Sequence, residues 1–239
     1  MEQLAGILLK LLVYAIILGL VALAIRAMMR GNREDKRIRK EWAELEGVAA
    51  AHGWTYERRA HGRATEYCGV GPMPGKGSNL TAWHYITGEF RGRAFKCFEY
   101  RYSNPLSGGS QAGDSRTLTF ESMFLVSAPG SGPFMQVGRP SKLDTAMGRR
   151  PRTLLDVPEF DKKFRVATDD EAFVRNVLTD DVRTFLLSDQ RAETNPLRVR
   201  DDELFTWYTG YLSQQAIEDR LNYLCDVIDR IPVQAWTSA

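Results

Sequence analysis

The first hydrophobic feature of the chain is a continuous apolar segment, Leu4–Ile25, which contains one charged residue, Lys10. As an α-helix rising about 1.5 Å per residue, this segment would span about 33 Å, enough for the roughly 30 Å hydrocarbon core of a bilayer. Lys10 lies near the N-terminal end, where its long side chain extends the ammonium group toward the lipid headgroups. The pattern predicts a transmembrane helix.

A helical pattern follows the apolar segment. Residues on one stripe recur at steps of three and four: Ile38, Trp42, Leu45, Ala49 and His52. This spacing is typical of an amphipathic helix, and Gly53 supplies its stop signal. We therefore predict a juxtamembrane helix running about from Asn32 to Ala51. The chain then divides into an anchor with its basic flank (1–31), this juxtamembrane region (32–53) and a soluble domain (54–239).

Alternating aromatic and polar residues predict strands after the helix. The runs are Trp54–Arg58, Ala82–Phe90, Ala94–Tyr102 and Arg116–Ala128. The second and third runs flank a glycine-bearing turn at 91–93, which is typical of a β-hairpin. Loops rich in glycine, proline and serine separate the strands at 69–79 and 103–115. Similar composition predicts a break before Phe134–Val137 and irregular chain over Gly138–Pro151. The adjacency of the runs favours a β-meander.

The second half of the chain mixes strands and helices. Its predicted elements are a strand at Phe164–Ala167, helices at Asp169–Leu178, Asp181–Ser188 and Ser213–Ile231, and a hairpin of Leu197–Val199 and Leu204–Tyr208. Without regular strand–helix alternation, this order predicts an α+β fold with a mainly antiparallel sheet packed with helices. The last helix has an apolar seam of about two heptads, too short for a convincing coiled coil. Packing on the sheet is therefore favoured over self-association.

Charge is concentrated beside the apolar segment. The stretch Arg26–Lys40 holds seven basic residues against two acids, whereas the N-terminal flank offers only Glu2 and the amino terminus. Because lysine and arginine are retained on the cytoplasmic side, we predict an outside N-terminus and a cytoplasmic domain. The same cluster is suited to contact anionic lipid headgroups. The alternative is a signal peptide with Leu11–Ile25 as its apolar core, cleaved near Ala22–Ala24 to release a secreted protein.

The composition argues against several classes of function. A formal net charge of +2 over 239 residues gives no general attraction to nucleic acid. Three scattered cysteines, Cys68, Cys97 and Cys225, are too few for a disulfide framework and fit a reducing compartment. The three histidines do not stand at zinc-ligand spacings, so no metal site is predicted.

The densest charge cluster in the domain comprises Asp169, Asp170 and Glu171. Thr168 and Glu171 fit the capping box, in which the threonine oxygen accepts from the Glu171 amide and the glutamate returns to the threonine amide. The helix macrodipole also favours carboxylates in a first turn. Consecutive helical residues do not converge on one point, so we interpret the cluster as a strand-to-helix junction rather than a divalent-cation site.

Two loops resemble catalytic or phosphate-binding motifs without completing them. In GVGPMPGKG (69–77), Val70 stands where a Walker A loop has glycine, and Gly77 follows Lys76 in place of serine or threonine. Ser110, in GGSQA, lacks the second glycine of a nucleophile elbow, and all three histidines precede it in the chain. Neither loop predicts a site.

The thiols are the remaining candidates. Cys97 lies in a predicted strand and Cys225 in the last helix, so burial is the default expectation for both. A cationic neighbour such as His84 would be needed to lower the thiol pKa of Cys68 or Cys97. Because no catalytic constellation is complete, we assign no catalytic, cofactor-binding or metal-binding residue.

Several segments resemble a known family. They are GEFRGRAFKCFEY at 88–100, FLV at 124–126, FDKKFRVATDDEA at 160–172 and VLTDDV at 177–182. In this order they resemble bacterial membrane proteins of the domain of unknown function three-one-three-seven type. The resemblance extends over about half of the chain and implies a bacterial membrane protein, but it implies no activity. Members of that family usually have a pair of membrane segments, whereas this sequence predicts one.

Together these features favour a single-pass membrane protein whose cytoplasmic domain is a protein-interaction, assembly or regulatory module. One alternative is a membrane-tethered enzyme, such as a hydrolase, that uses Ser110 or the histidines. A histidine within hydrogen-bonding reach of a serine, cysteine or carboxylate in a cleft would favour it. The other alternative is a domain that binds lipid or a small ligand inside the sheet, which a filled core would exclude.

Overall fold

The structure, a computed structural model, describes residues 18–21, 23, 26, 36–71, 73–103, 118–140 and 152–236. The chain divides into two units, Met1–Glu44 and Leu45–Ala239. In the first unit, the described residues are helical. The predicted transmembrane segment Leu4–Ile25 lies mostly outside the described ranges. Within those ranges, no helix is both long and apolar enough to cross a membrane.

Helix α1 covers residues 36–51, and its last turns belong to the second unit. There the predicted stripe is buried at Leu45 and Ala49. Gly53 adopts a left-handed φ of 70°, which ends the helix as predicted. His52 is exposed instead of buried, and its Nδ1 donates to the Val48 carbonyl at 2.9 Å.

The second unit is built on a six-stranded antiparallel sheet. Its strands are β1 (Thr55–Ala60), β2 (Ala82–Phe90), β3 (Arg93–Ser103), β4 (Leu118–Gly138), β5 (Arg165–Thr168) and β6 (Leu197–Thr209). The order is β1-β2-β3-β4-β5, and β6 pairs with the opposite edge of β4. The predicted α+β class with a mainly antiparallel sheet is confirmed.

The β2–β3 hairpin closes as its sequence predicts. Phe90 pairs with Arg93, which leaves Arg91 and Gly92 as a two-residue turn. Both turn residues have positive φ, 52° and 74°, which defines the type I′ geometry that matches the twist of the strands.

Two predicted breaks in the sheet are wrong. The residues at 127–135 remain within β4, because shifts in its pairing with β6 around Gly132 accommodate the two prolines of this stretch. The hairpin predicted from Leu197–Val199 and Leu204–Tyr208 is the single strand β6. Asp201, with φ of 53°, pairs with Gly132 and carries that strand through the irregularity without reversing it.

The second half contains more helices than predicted, and the first and last of the three predicted ones are shorter, whereas the helix predicted at Asp181–Ser188 begins one residue earlier. The helices are α2 (Pro158–Lys163), α3 (Glu171–Val177), α4 (Asp180–Ser188), α5 (Gln214–Ile228) and α6 (Val233–Trp236), with short 3₁₀-helices at Arg63–Tyr67 and Gln190–Glu193. Helix α5 packs on β4 and β6. Its seam is buried at Ile217, Leu221, Leu224 and Ile228, so the predicted packing on the sheet is confirmed.

The other face of the sheet has its own core. This cluster comprises Ala60, Ala64, Tyr67, Val70, Met73, Ala82, Phe98, Met123, Leu125, Phe205 and Trp207. Its cover is the chain between β1 and β2, including the 3₁₀-helix Arg63–Tyr67. The sheet is therefore packed on both faces.

The acidic cluster lies at the predicted strand-to-helix junction, but its cap is different. Asp170, not Thr168, is the N-cap of α3, and its carboxylate accepts from the Phe173 amide at 3.0 Å. The Thr168 hydroxyl instead accepts from the Asp170 amide and lies 2.8 Å from the Phe134 carbonyl oxygen. Thr168 is still part of β5 and bonds across to β4, and it lies two residues before the N-cap position, so it cannot cap the helix.

Candidate functional site

The loop 69–77, which partly resembles a phosphate-binding motif, is part of the core. Val70 and Met73 are buried, and Gly71 packs so closely on Trp207 that an added Cβ would lie 2.7 Å from the indole ring. Arg198 donates to the Gly69 carbonyl at 2.7 Å. The glycine at 71 is needed for this close approach and for its φ of 54°. The loop therefore covers the sheet.

The thiols are placed as the sequence predicts. Cys97 and Cys225 are buried and form no disulfide, and burial raises the pKa of both. Arg91 and Arg93, at the hairpin, form ion pairs at 2.7–2.8 Å with Asp226 of α5 and with Asp229, which directly follows that helix. Neither buried thiol has the lowered pKa of a nucleophile.

The histidines occupy three separate environments. His52 bonds to a backbone carbonyl, and the His61 Nδ1 lies 3.2 Å from the Thr81 hydroxyl. His84 is buried between the Tyr56 hydroxyl and the Arg101 guanidinium, at 2.9 and 3.0 Å. Ser110 lies outside the described residues. Among the residues that the structure describes, no group of three or more histidine, cysteine or acidic side chains is arranged to hold a metal ion.

The His84 environment is the most unusual polar arrangement of the domain. Glu99, fully buried, accepts from the Leu212 amide at 3.0 Å and from Arg101 Nε at 2.5 Å. Arg101 donates in turn to His84 Nε2, and His84 Nδ1 bonds with Tyr56. This Glu99–Tyr56 chain runs from the loop after β6, across β3 and β2, to β1.

The hydrogen-bond donors of the Glu99–Tyr56 chain determine the tautomer of His84. Because a guanidinium only donates, Nε2 of His84 must accept, and a neutral ring then carries its proton on Nδ1. The proton on Nδ1 is donated to the Tyr56 oxygen. Burial first, and then the charges of Arg101 and Arg58, lower the pKa of His84 to about 4. The ring is therefore neutral near pH 7.

A bulge in the backbone of β2 positions His84 in this site. Counting from the two-residue turn would place His84 opposite Glu99, yet Trp83 takes that position because the β2–β3 register shifts between Trp83 and Ile86. His84 adopts a φ of 50° at this bulge. Positive φ at a buried histidine inside a strand is uncommon and is concentrated at sites where a side chain is redirected.

A cation–aromatic row crosses the sheet beside this chain. Arg59 lies 4.3 Å and Arg101 4.2 Å from the centroid of the Trp83 ring, and Arg101 lies 5.6 Å from that of Phe120. Arg59 is exposed and stands directly opposite Trp83 in the β1–β2 register. Such stacking favours guanidinium orientation without neutralising its charge. The row thus presents an oriented cation at the β1 side of the sheet.

Other polar features are smaller. Glu121 is buried and accepts from Thr209 and Tyr102 through one oxygen, and burial raises its pKa. A cleft of about 140 Å³ lies between Glu66 and Tyr67 on one side and residues 200–205 of β6 on the other. Small-molecule sites usually enclose roughly 300–1,000 Å³, so this cleft suits at most a small polar group.

The sequence pattern alone does not predict the Glu99–Tyr56 chain. The predicted hairpin register already brought His84 and Glu99 together, which was the available signal. The bulge at His84 and the contact with Leu212 depend on tertiary packing, so local pattern could not reveal them.

Comparisons with known proteins bear on the fold. No protein-family model matches the sequence, and a search of curated proteins found no match. The chain is similar in structure to the mycobacterial trehalose monomycolate transport factor A, TtfA, with a TM-score of 0.55 and 14% sequence identity. The similarity extends over 82% of this chain and 96% of that protein. At this identity it shows a shared fold, and the resemblance to the domain of unknown function family stays a prediction.

Proposed function

We propose that this protein is a single-pass membrane-anchored accessory factor whose α+β domain binds another protein in a transport or assembly system. The observation that carries the proposal is the shared fold with a protein described as a transport factor, over 96% of that protein's length. The apolar segment Leu4–Ile25, which precedes the domain, supports the anchor.

The proposed orientation places the domain in the cytoplasm. It rests on the seven basic residues of Arg26–Lys40, since positive flanks are retained on that side. The same flank is proposed to contact anionic lipid headgroups, where each basic residue near the surface adds about 1 kcal/mol. Reduced, buried Cys97 and Cys225 fit a reducing compartment.

An interaction role is favoured over catalysis by the side chains themselves. The buried thiols have raised pKa values, and the bonds of His84 described above join it to a tyrosine and an arginine. The oriented guanidinium of Arg59 is, by contrast, exposed on a rigid strand. Exposed charge on a rigid scaffold is suited to recognition.

The proposal is tested by crosslinking in native membranes. The full chain with a C-terminal affinity tag is crosslinked and purified, and the anchor region alone (1–53) with the same tag serves as control. We expect a defined membrane-associated protein to be enriched with the full chain only. Equal recovery with both chains, or recovery of lipid alone, would contradict a role of the domain in protein binding.

A further inference from the structure

The most accessible edge of the sheet is β1. It is the first strand in the sheet order, and among the described residues it pairs only with β2. Four of its six residues, Thr55, Glu57, Arg58 and Arg59, are exposed. Within the described part of the chain, no further backbone hydrogen bond from these residues is found. An exposed edge of this kind is a template for pairing with another strand.

The other outer strands are covered. Strand β5 has a bridge from Thr153 to Val166, and the Thr153 amide donates to the Val166 carbonyl. Most of β6 is buried, and Arg198 ties it to the loop at Gly69. Open backbone and exposed strand residues therefore coincide at β1.

The charge of the β1 edge indicates which kind of partner strand it can bind. Most exposed arginines of the domain, such as Arg91, Arg139 and Arg175, have carboxylate partners within 4 Å. In the described residues, Arg58 and Arg59 form no such ion pair, and Glu57 is the only acid in the strand. In an antiparallel pair of two copies of this edge, the register that sets Glu57 against Arg59 also sets Arg58 against its own copy. Like charges opposed across strands are destabilising, so an acidic strand, which can pair with both arginines, is favoured over a second copy.

We propose that the β1 edge binds an extended acidic segment of a partner protein by strand addition. This inference rests on the proposed interaction function and names the surface and the chemistry of the partner. Backbone groups of β1 would pair with the added strand, and carboxylates of that strand would pair with Arg58 and with Arg59, which Trp83 holds in place. A lipid headgroup would use the arginines but leave the open backbone unpaired, so the acidic strand fits both observations.

The test uses the purified full chain in a nonionic detergent. The probe is a short capped peptide that alternates glutamate and threonine. Its matched forms replace each glutamate with lysine or each threonine with proline, which removes backbone donors. We expect the glutamate peptide alone to bind and to protect the amides of 55–60 from hydrogen exchange.

Charge reversal supplies the second arm. The double variant Arg58→Glu, Arg59→Glu should lose about tenfold or more in affinity for the glutamate peptide and gain affinity for the lysine peptide. Arg175→Glu, an exposed charge reversal on α3, is the matched control and should leave binding unchanged. Unchanged melting temperatures show that the variants are folded.

Three outcomes would overturn the inference: binding that survives the double reversal, protection that lies outside β1, or equal binding of the proline form. Protection of β1 in nanodiscs of anionic lipid, without any peptide binding, would assign the edge to the membrane instead. If a partner protein is crosslinked in membranes and recovered equally well with the double variant and with the unmodified chain, that result would support the accessory function and contradict the assignment of the binding surface to β1.

Discussion

At the scale of single residues, His84 shows how position sets chemistry. A bulge turns the ring into the sheet, where Arg101 occupies one nitrogen and Tyr56 the other. The neutral ring completes the Glu99–Tyr56 chain. A protonated His84 ring would lie within hydrogen-bonding distance of the Arg101 cation in a buried site. The Glu99–Tyr56 chain of hydrogen bonds is therefore stable only while His84 is neutral.

This argument predicts a pH dependence. The pKa of His84 is about 4 in the folded protein against an ordinary value of 6.5. Between these values the unfolded chain binds the proton more readily than the folded one. The stability is therefore fully present above about pH 6.5 and falls as the pH drops toward 4, by up to about 3 kcal/mol.

The measurement is denaturant unfolding of the full chain between pH 4 and 7.5. In His84→Asn, which tolerates the positive φ, the slope of unfolding free energy against pH should become shallower. His61→Asn, at an exposed histidine, should retain the slope. An unchanged slope in His84→Asn would show that this histidine is not held neutral.

Gly71 gives a second prediction at this scale. An alanine there would place its Cβ 2.7 Å from the Trp207 ring at a φ of 54°, and should cost about 1–3 kcal/mol of unfolding free energy. Gly75→Ala, with no atom within 4 Å of the new Cβ, is the control in the same loop. Equal stability of the two variants would mean that the loop does not pack as described.

At the scale of elements, the role of the acidic cluster as a cap for α3 can be tested at Asp170. Asp170→Ala should cost about 1 kcal/mol because the Phe173 amide loses its acceptor, whereas Asp170→Asn should keep most of the cap. Thermal unfolding of the two variants measures the difference. If they melt together, the carboxylate does not cap the helix.

Local pattern was sufficient for some elements. Alternation and the 91–93 turn gave the β2–β3 hairpin within a residue of its observed ends, and three- and four-residue spacing located α1 and α5. Helix α2 was missed, although Pro158 at its first turn was an available start signal. Its six residues are too few to show a helical period.

The continuity of the long strands β4 and β6 was not predicted, for a different reason. Proline and glycine at 129–133, and the charged residues near Asp201, resemble turns in isolation. In the fold these two irregular stretches pair with each other, so each keeps the other extended. The Glu99–Tyr56 chain depends in the same way on a bulge and on a loop 113 residues from Glu99 in sequence.

At the scale of the whole molecule, the proposed function combines a folded domain with an apolar segment. The chain shares its fold with TtfA over 82% of its length, and the apolar segment Leu4–Ile25 predicts an anchor. The proposed function needs the domain to stay joined to the anchor and to lie on the cytoplasmic side of the membrane. Cleavage of the segment would instead release the domain on the opposite side of the membrane.

The most direct test is the topology of the full chain in a bacterial host. Alkaline phosphatase and a fluorescent protein are fused separately to the C-terminus, and the membranes are washed with alkaline carbonate. We predict an inactive phosphatase, a fluorescent fusion and an uncleaved chain that stays in the membrane pellet. Active phosphatase on a shortened chain in the soluble fraction would contradict the account.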